Sequence, residues 1–118
     1  MDILLVDDAE SVRNNISRLI RSAVSTAKIT EACDFAEAVK QLKKRPFNIV
    51  LFDIKLPDGS GFDLVSKIPG NFPSPEILFF SNFAGEKFRQ KAMDLGARGF
   101  FDKTSEIDEL ISAIRSLA

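Results

Sequence analysis

The chain has no histidine, no tryptophan and no tyrosine among its 118 residues. Without histidine there is no imidazole general base, no His-ligated zinc and no phosphohistidine carried by this chain. A single cysteine, Cys33, excludes an intrachain disulfide and a cysteine-cluster metal site. Near a strand end it reads as a small apolar filler. The net charge of −1 supplies no overall basic footprint for nucleic acid or an anionic membrane surface. No apolar run approaches the ~20 residues of a membrane span, and no signal peptide is visible. The cytoplasm is therefore the expected compartment. All eleven aromatic residues are phenylalanine, which implies a dry core with few polar tips to satisfy.

The composition is that of one globular domain, 1–118, with 45% hydrophobic and 28% charged residues. Asn48-Ile49-Val50-Leu51-Phe52-Asp53 is a short apolar run that ends on a carboxylate, and the chain then turns through Pro57, Gly59 and Gly61. Such a run suits a strand buried on both faces. Ile3–Val6, Ile77–Phe80 and Gly99–Phe101 read as further strands, and 28–33 as an edge strand. Helical spacing of apolar residues marks 9–24, 35–45, 84–95 and 107–117, with a short helix at most over 61–68. Asp34 with Glu37 resembles a capping box, Gly96 is the expected stop of the fourth helix, and Ser105 can cap the last. Five strands alternating with five helices argue an α/β fold with a parallel sheet and helices on both faces. Strand order is not readable from spacing; the flavodoxin-like order 2-1-3-4-5 is one of two common choices.

Ligands of such sheets bind at the carboxyl ends of the strands. That edge receives Asp7 and Asp8 from strand one, Asp53 from strand three, Ser81 from strand four and Lys103 from strand five. Taken singly, Asp7-Asp8 reads equally well as a helix cap, Ser81 as a turn residue, Lys103 as a surface charge, Phe100 as core and Asp58 as turn chemistry. The ordered set carries the signal. Clustered carboxylates repel one another, and one lysine offsets one of them. A divalent cation with all-oxygen ligands, Mg²⁺, suits the remainder. A carboxylate acting as nucleophile can form an aspartyl phosphate, chemistry that needs positioning and charge neutralisation more than acid–base help.

The segments Leu4-Leu5-Val6-Asp7-Asp8, Ile49 to Gly61, the Ser81 position and Gly96 to Lys103 together resemble the receiver domain of two-component response regulators. The resemblance covers essentially the whole chain. It implies the 2-1-3-4-5 sheet and a phosphoacceptor role for Asp53. Asp8 becomes a direct Mg²⁺ ligand, Asp7 a ligand largely through water, and the backbone carbonyl of Lys55 a further ligand beside Asp53. Ser81 and Lys103 would hold the phosphoryl group. Phe100 matches the switch aromatic that turns inward on phosphorylation. The implied donor is a phosphohistidine on a sensor histidine kinase or phosphotransfer protein. The implied readout is the face of the fourth helix, fifth strand and fifth helix, which would engage a downstream effector protein or output domain; no output domain is expected within 1–118. Arg13, Asn14 and Ser17, read as outward on the first helix, resemble the family's kinase-docking surface.

The sequence departs from the family pattern at Thr104, where proline usually follows the lysine, and at Asn82, where a small residue is usual. Lys55 and Phe83 occupy two variable positions flanking the site. A bulky Phe83 would shield an acyl phosphate from water, while the Lys55 side chain would meet the phosphoryl group or Glu86; slow self-dephosphorylation is expected. A phosphorylation-independent interaction module on the same fold is the alternative, and the complete acidic set argues against it. A haloacid-dehalogenase-type phosphatase would want an acid where Lys55 stands. A flavodoxin would want a hydroxyl-rich phosphate loop in place of Asp7-Asp8.

Overall fold

Apolar residues fill consecutive positions of the inner strands because both faces of those strands are covered. In the computed structural model, which describes residues 1–83 and 85–118, β3 (Ile49–Asp53) is buried at every position. It lies at the centre of a five-stranded parallel sheet with β1 (Asp2–Val6), β2 (Lys28–Ala32), β6 (Glu76–Ser81) and β7 (Gly99–Asp102), in the order β2-β1-β3-β6-β7. This is the expected 2-1-3-4-5 order, with two short extra strands intervening in the chain. β4 (Lys55–Leu56) and β5 (Gly59–Ser60) pair antiparallel in a small hairpin turned by Pro57 and Asp58. The hairpin escapes a reading of hydrophobic pattern because two-residue strands have no period to detect.

Alternate strand residues point to opposite faces, so the sheet makes two cores. On one face Ile3, Leu5, Leu51 and Phe80 pack with Ile16 and Ile20 of α1 (Glu10–Ala23) and with Leu110 and Ile114 of α4 (Ile107–Leu117). On the other, Leu4, Val6, Phe52 and Phe79 pack with Ala38 and Leu42 of α2 (Phe35–Lys44), Phe62 and Leu64 of a 3-10 helix (Gly61–Lys67), and Ala92 of α3 (Glu86–Asp94). Burying such side chains stabilises by roughly 1.5–3 kcal/mol each. Among the described residues no helix is long and apolar enough to cross a membrane.

The local sequence signals hold at some element ends and not at others. Asp34 caps α2, its side chain accepting from the Glu37 amide at 2.8 Å. Glu37 does not close a reciprocal box; its carboxylate accepts from the Cys33 thiol at 3.3 Å. Cys33 is exposed rather than a core filler, since it follows the last buried position of β2. Gly96 ends α3 with φ +87, the left-handed conformation that glycine adopts without penalty. Ser105 does not cap α4; Glu106 holds that position. Phe88 is exposed on α3, beside Phe62 and Phe83. The expected start of that helix at Ala84 lies outside the described residues. The Lys103–Thr104 peptide is trans.

Candidate functional site

Parallel pairing sets the strand ends level. Val6 stands opposite Phe52, Asp53 opposite Phe80, and Ser81 opposite Asp102. The residues that leave these strands therefore converge. Asp7, Asp8, Asp53, Lys55, Ser81 and Lys103 line one cavity of about 380 Å³, with Phe83 also on its rim. All six sequence-derived pocket residues are thus brought together. Phe100 stands apart in β7, opposite Phe79.

Asp7 is fully buried and tied at several points. Its amide donates to the Ala32 carbonyl at 3.1 Å, and its carboxylate accepts from the Ala9 amide at 2.7 Å. That bond makes a tight turn into α1. The helix itself has Ala9 at its N-cap with no side-chain cap, so neither Asp7 nor Asp8 caps it in the usual way. Asp8 is exposed at the cavity mouth. One oxygen each from Asp7, Asp8 and Asp53 lies within 4.8 Å of the others.

The Lys103 ammonium pairs with Oδ2 of Asp7 and lies 2.9 Å from Oδ2 of Asp53. Its backbone amide donates to the Ser81 carbonyl at 3.0 Å, which anchors the end of β7 to that of β6. Burial costs the lysine charge, yet its bonds to Asp7 and Asp53 win and raise its pKa above the ordinary value. Asp53 is 4% exposed. Burial pushes its carboxyl up to about 6; Lys103 and the Lys55 amide pull the other way, and the Asp7 charge adds to the rise.

The Ser81 hydroxyl accepts from the Phe83 amide at 3.0 Å, which leaves its proton free to donate into the cavity. The Lys55 ammonium sits 5.3 Å from the centroid of the Phe83 ring and takes that ring rather than Glu86 as its partner. Three carboxylates against the one ammonium that pairs with them leave two negative charges in the pocket, with the Lys55 ammonium turned to the Phe83 ring at the rim. Hard oxygen donors with this excess fit a divalent cation such as Mg²⁺.

Phe100 is 6% exposed, with the Arg89 guanidinium 5.1 Å above its ring. Arg89 also donates to the Phe100 carbonyl at 3.1 Å and pairs with Glu106, whose carboxylate accepts from the Asp102 amide at 2.9 Å. Helix α3, strand β7 and the start of α4 are thereby joined around the aromatic. Neither Arg89 nor Glu106 is visible as a partner in sequence, because their spacing of seventeen residues crosses a strand.

The first-helix surface differs from expectation. Ser17 is buried and Arg13 is largely covered, its guanidinium donating to the Asp7 carbonyl and to Glu31; of the three, Asn14 alone is exposed. Asp58 also has a larger part than turn chemistry. Its two carboxylate oxygens accept from the Phe35 and Ala36 amides at 2.7 and 3.0 Å, so it caps α2 from across the hairpin. An acidic residue after a Pro at the turn was the visible signal; its target was not.

Comparison with known proteins agrees with this geometry. The chain is 33% identical over 117 residues to the sensory transduction protein LytR of Staphylococcus epidermidis, covering 99% of this chain and 46% of the relative. The chain spans about half the length of the relatives of this kind. A two-component response regulator of the LuxR family from an Aurantimonas species superposes with a TM-score of 0.86 at 32% identity, over 98% of this chain and 83% of that one. A Burkholderia pseudomallei response regulator, described with a phosphorylated aspartic acid, a calcium ion and citrate, superposes with a TM-score of 0.83 at 21% identity, over 96% of this chain and 65% of that one. The response regulator receiver domain family matches residues 3–115, and with the acids after β1 and at the end of β3 meeting the lysine after β7 in one pocket, the chain belongs to that family.

Proposed function

We propose that this receiver domain is a phosphoacceptor of two-component signalling, with Asp53 as the phosphorylated residue. The carrying observation is the convergence of Asp7, Asp8 and Asp53 within 4.8 Å, with Lys103 paired to two of them. An oxygen of Asp53 attacks the phosphorus of a phosphohistidine on a sensor histidine kinase or phosphotransfer protein. The P–N bond breaks, and the imidazole leaves with its electron pair and takes a proton from solvent. Asp8, Asp53 and the Lys55 carbonyl would hold Mg²⁺ directly and Asp7 largely through water. The bound ion supplies positive charge opposite the phosphoryl oxygens. Calcium and phosphoaspartate in the Burkholderia relative support the pairing of a cation with this chemistry. Lys103 offsets a second phosphoryl oxygen, and Ser81 donates its hydroxyl proton to a third.

The domain is a switch rather than a turnover enzyme; it catalyses only its own phosphorylation and slow dephosphorylation, in the cytoplasm. Movement of Ser81 toward the phosphoryl group shifts the face of α3, β7 and α4 through Phe100 and so changes its affinity for an effector protein or an output domain. Incubation with acetyl phosphate, followed by intact mass, tests the reading. A gain of one phosphate with Mg²⁺ and none with EDTA is expected; a mass unchanged under both conditions contradicts it and favours a phosphorylation-independent interaction module.

A further inference from the structure

Arg13 lies one helical turn into α1, where a basic residue has no reason to be covered. Yet its side chain is only 14% exposed. Nη1 donates to the backbone carbonyl of Asp7 at 2.7 Å, and Nε donates to Oε1 of Glu31 on the edge strand β2 at 3.1 Å. The other groups of Asp7 are also held, its amide by Ala32 and its carboxylate by Ala9 and Lys103. The Asp7 carbonyl belongs to the peptide that leads into Asp8. Fixing that carbonyl fixes the plane of the peptide from which the Asp8 carboxylate departs.

We propose that Arg13 is a positioning residue for the cation site: it clamps the Asp7–Asp8 peptide so that the Asp8 carboxylate faces Asp53, with Glu31 holding the guanidinium in place and offsetting its charge. The inference rests on the cation site described above. Groups that orient ligands without touching the metal typically contribute about 10–100-fold in affinity. Arg13 makes the sign of the effect informative. As a bare positive charge it repels a cation, and its removal tightens binding. As a clamp it aligns a ligand, and its removal weakens binding.

Mn²⁺ is a suitable probe, because the free ion is counted directly by electron paramagnetic resonance without reference to phosphorylation. Native protein, Arg13→Ala, Arg13→Lys and Glu31→Gln are titrated, and thermal unfolding is recorded for each. Arg13→Ala is expected to weaken Mn²⁺ binding by about tenfold or more. Arg13→Lys, which cannot span both partners with two N–H groups, is expected to recover only part of the affinity. Glu31→Gln is expected to weaken binding by severalfold, since the guanidinium loses its counter-charge and keeps only a weaker, neutral acceptor. Affinity in Arg13→Ala equal to or tighter than native, even with a lowered unfolding temperature, overturns the proposal. Should Arg13→Ala not fold, native affinity in Arg13→Lys and Glu31→Gln overturns it equally. Absence of Mn²⁺ binding by the native protein contradicts instead the cation site on which the inference rests.

Discussion

Lys103 reaches Asp53 across an intervening strand. Its ammonium stands 2.9 Å from Asp53 Oδ2, although β7 pairs with β6, and β6 separates it from β3. The same ammonium pairs with Asp7 at the end of β1, and the Lys103 amide holds the Ser81 carbonyl at the end of β6. One residue thus ties together the ends of three strands. The site is pulled together by opposite charge and strained by the burial of like charge.

That strain has a pH signature. Asp53 has its carboxyl raised from 3.8 to about 6, first by burial. A carboxyl whose folded pKa exceeds its unfolded pKa favours the fold when protonated. Without divalent cation, stability should therefore be greatest below about pH 4 as far as this group is concerned, and should fall as pH rises through 6. The full effect is at most about 3 kcal/mol, from ~1.4 kcal/mol per pKa unit. Urea unfolding in EDTA at pH 5 and pH 7.5 reads it, with Asp53→Asn flattening the difference. Millimolar Mg²⁺ should restore stability at pH 7.5 and leave Asp53→Asn little changed. An identical pH dependence in native and Asp53→Asn protein contradicts this assignment.

Phe83 is 47% exposed at the mouth of the pocket, with the Lys55 ammonium over its ring. If Asp53 carries an acyl phosphate, an apolar ring at that rim is expected to exclude the water that hydrolyses it. Phe83→Ala should shorten the aspartyl-phosphate half-life by roughly tenfold, or ~1.4 kcal/mol of barrier. The decay of intact phosphoprotein mass after removal of the donor measures it. A native half-life shorter than that of Phe83→Ala would sink the shielding role.

Gly61 lies against the backbone of Asp53. A Cβ there would stand 1.8 Å from the Asp53 carbonyl oxygen, and the Gly61 amide already donates to the Ile54 carbonyl at 2.6 Å. Backbone cannot swing aside as a side chain does. Gly61→Ala should cost about 3 kcal/mol or more in urea unfolding, the upper end for point substitutions. Gly70→Ala, which meets nothing within 4 Å, is the control. Equal stability of the two variants contradicts the steric account.

Asp58 bridges the hairpin to α2. Its carboxyl is held below the usual range, chiefly by the Phe35 amide. A depressed folded pKa means that its contribution is present at neutral pH and lost as pH falls through that value. Asp58→Ala should speed amide hydrogen exchange at Phe35 and Ala36 at pH 7 and lower the unfolding temperature. Unchanged exchange at both amides would remove the cap from the account.

The sheet and pocket were legible because both depend on sequence-local signals. Ile3–Val6, Ile49–Phe52 and Ile77–Phe80 declare buried strands by continuous apolarity, and parallel pairing then brings Asp7, Asp53, Ser81 and Lys103 to one edge. What escaped was long-range partnership. Arg13 is held by Glu31 of β2 and Ser17 is buried, although both are polar and polarity alone points to the surface. The Asp58 cap spans twenty-three residues, and the Arg89–Glu106 pair seventeen. Cys33 was misplaced because burial ends one residue earlier, at Ala32.

The proposed function puts the phosphoryl group on Asp53. Borohydride reduces an acyl phosphate to the corresponding alcohol, converting a phosphorylated aspartate to homoserine. Native protein should be treated with acetyl phosphate and Mg²⁺, reduced, digested and sequenced by mass spectrometry. Homoserine at position 53, absent without Mg²⁺ and absent in Asp53→Asn, is the expected result. Homoserine at Asp7 or Asp8, or none at any aspartate when the native protein is folded and Mg²⁺ is present, contradicts the account.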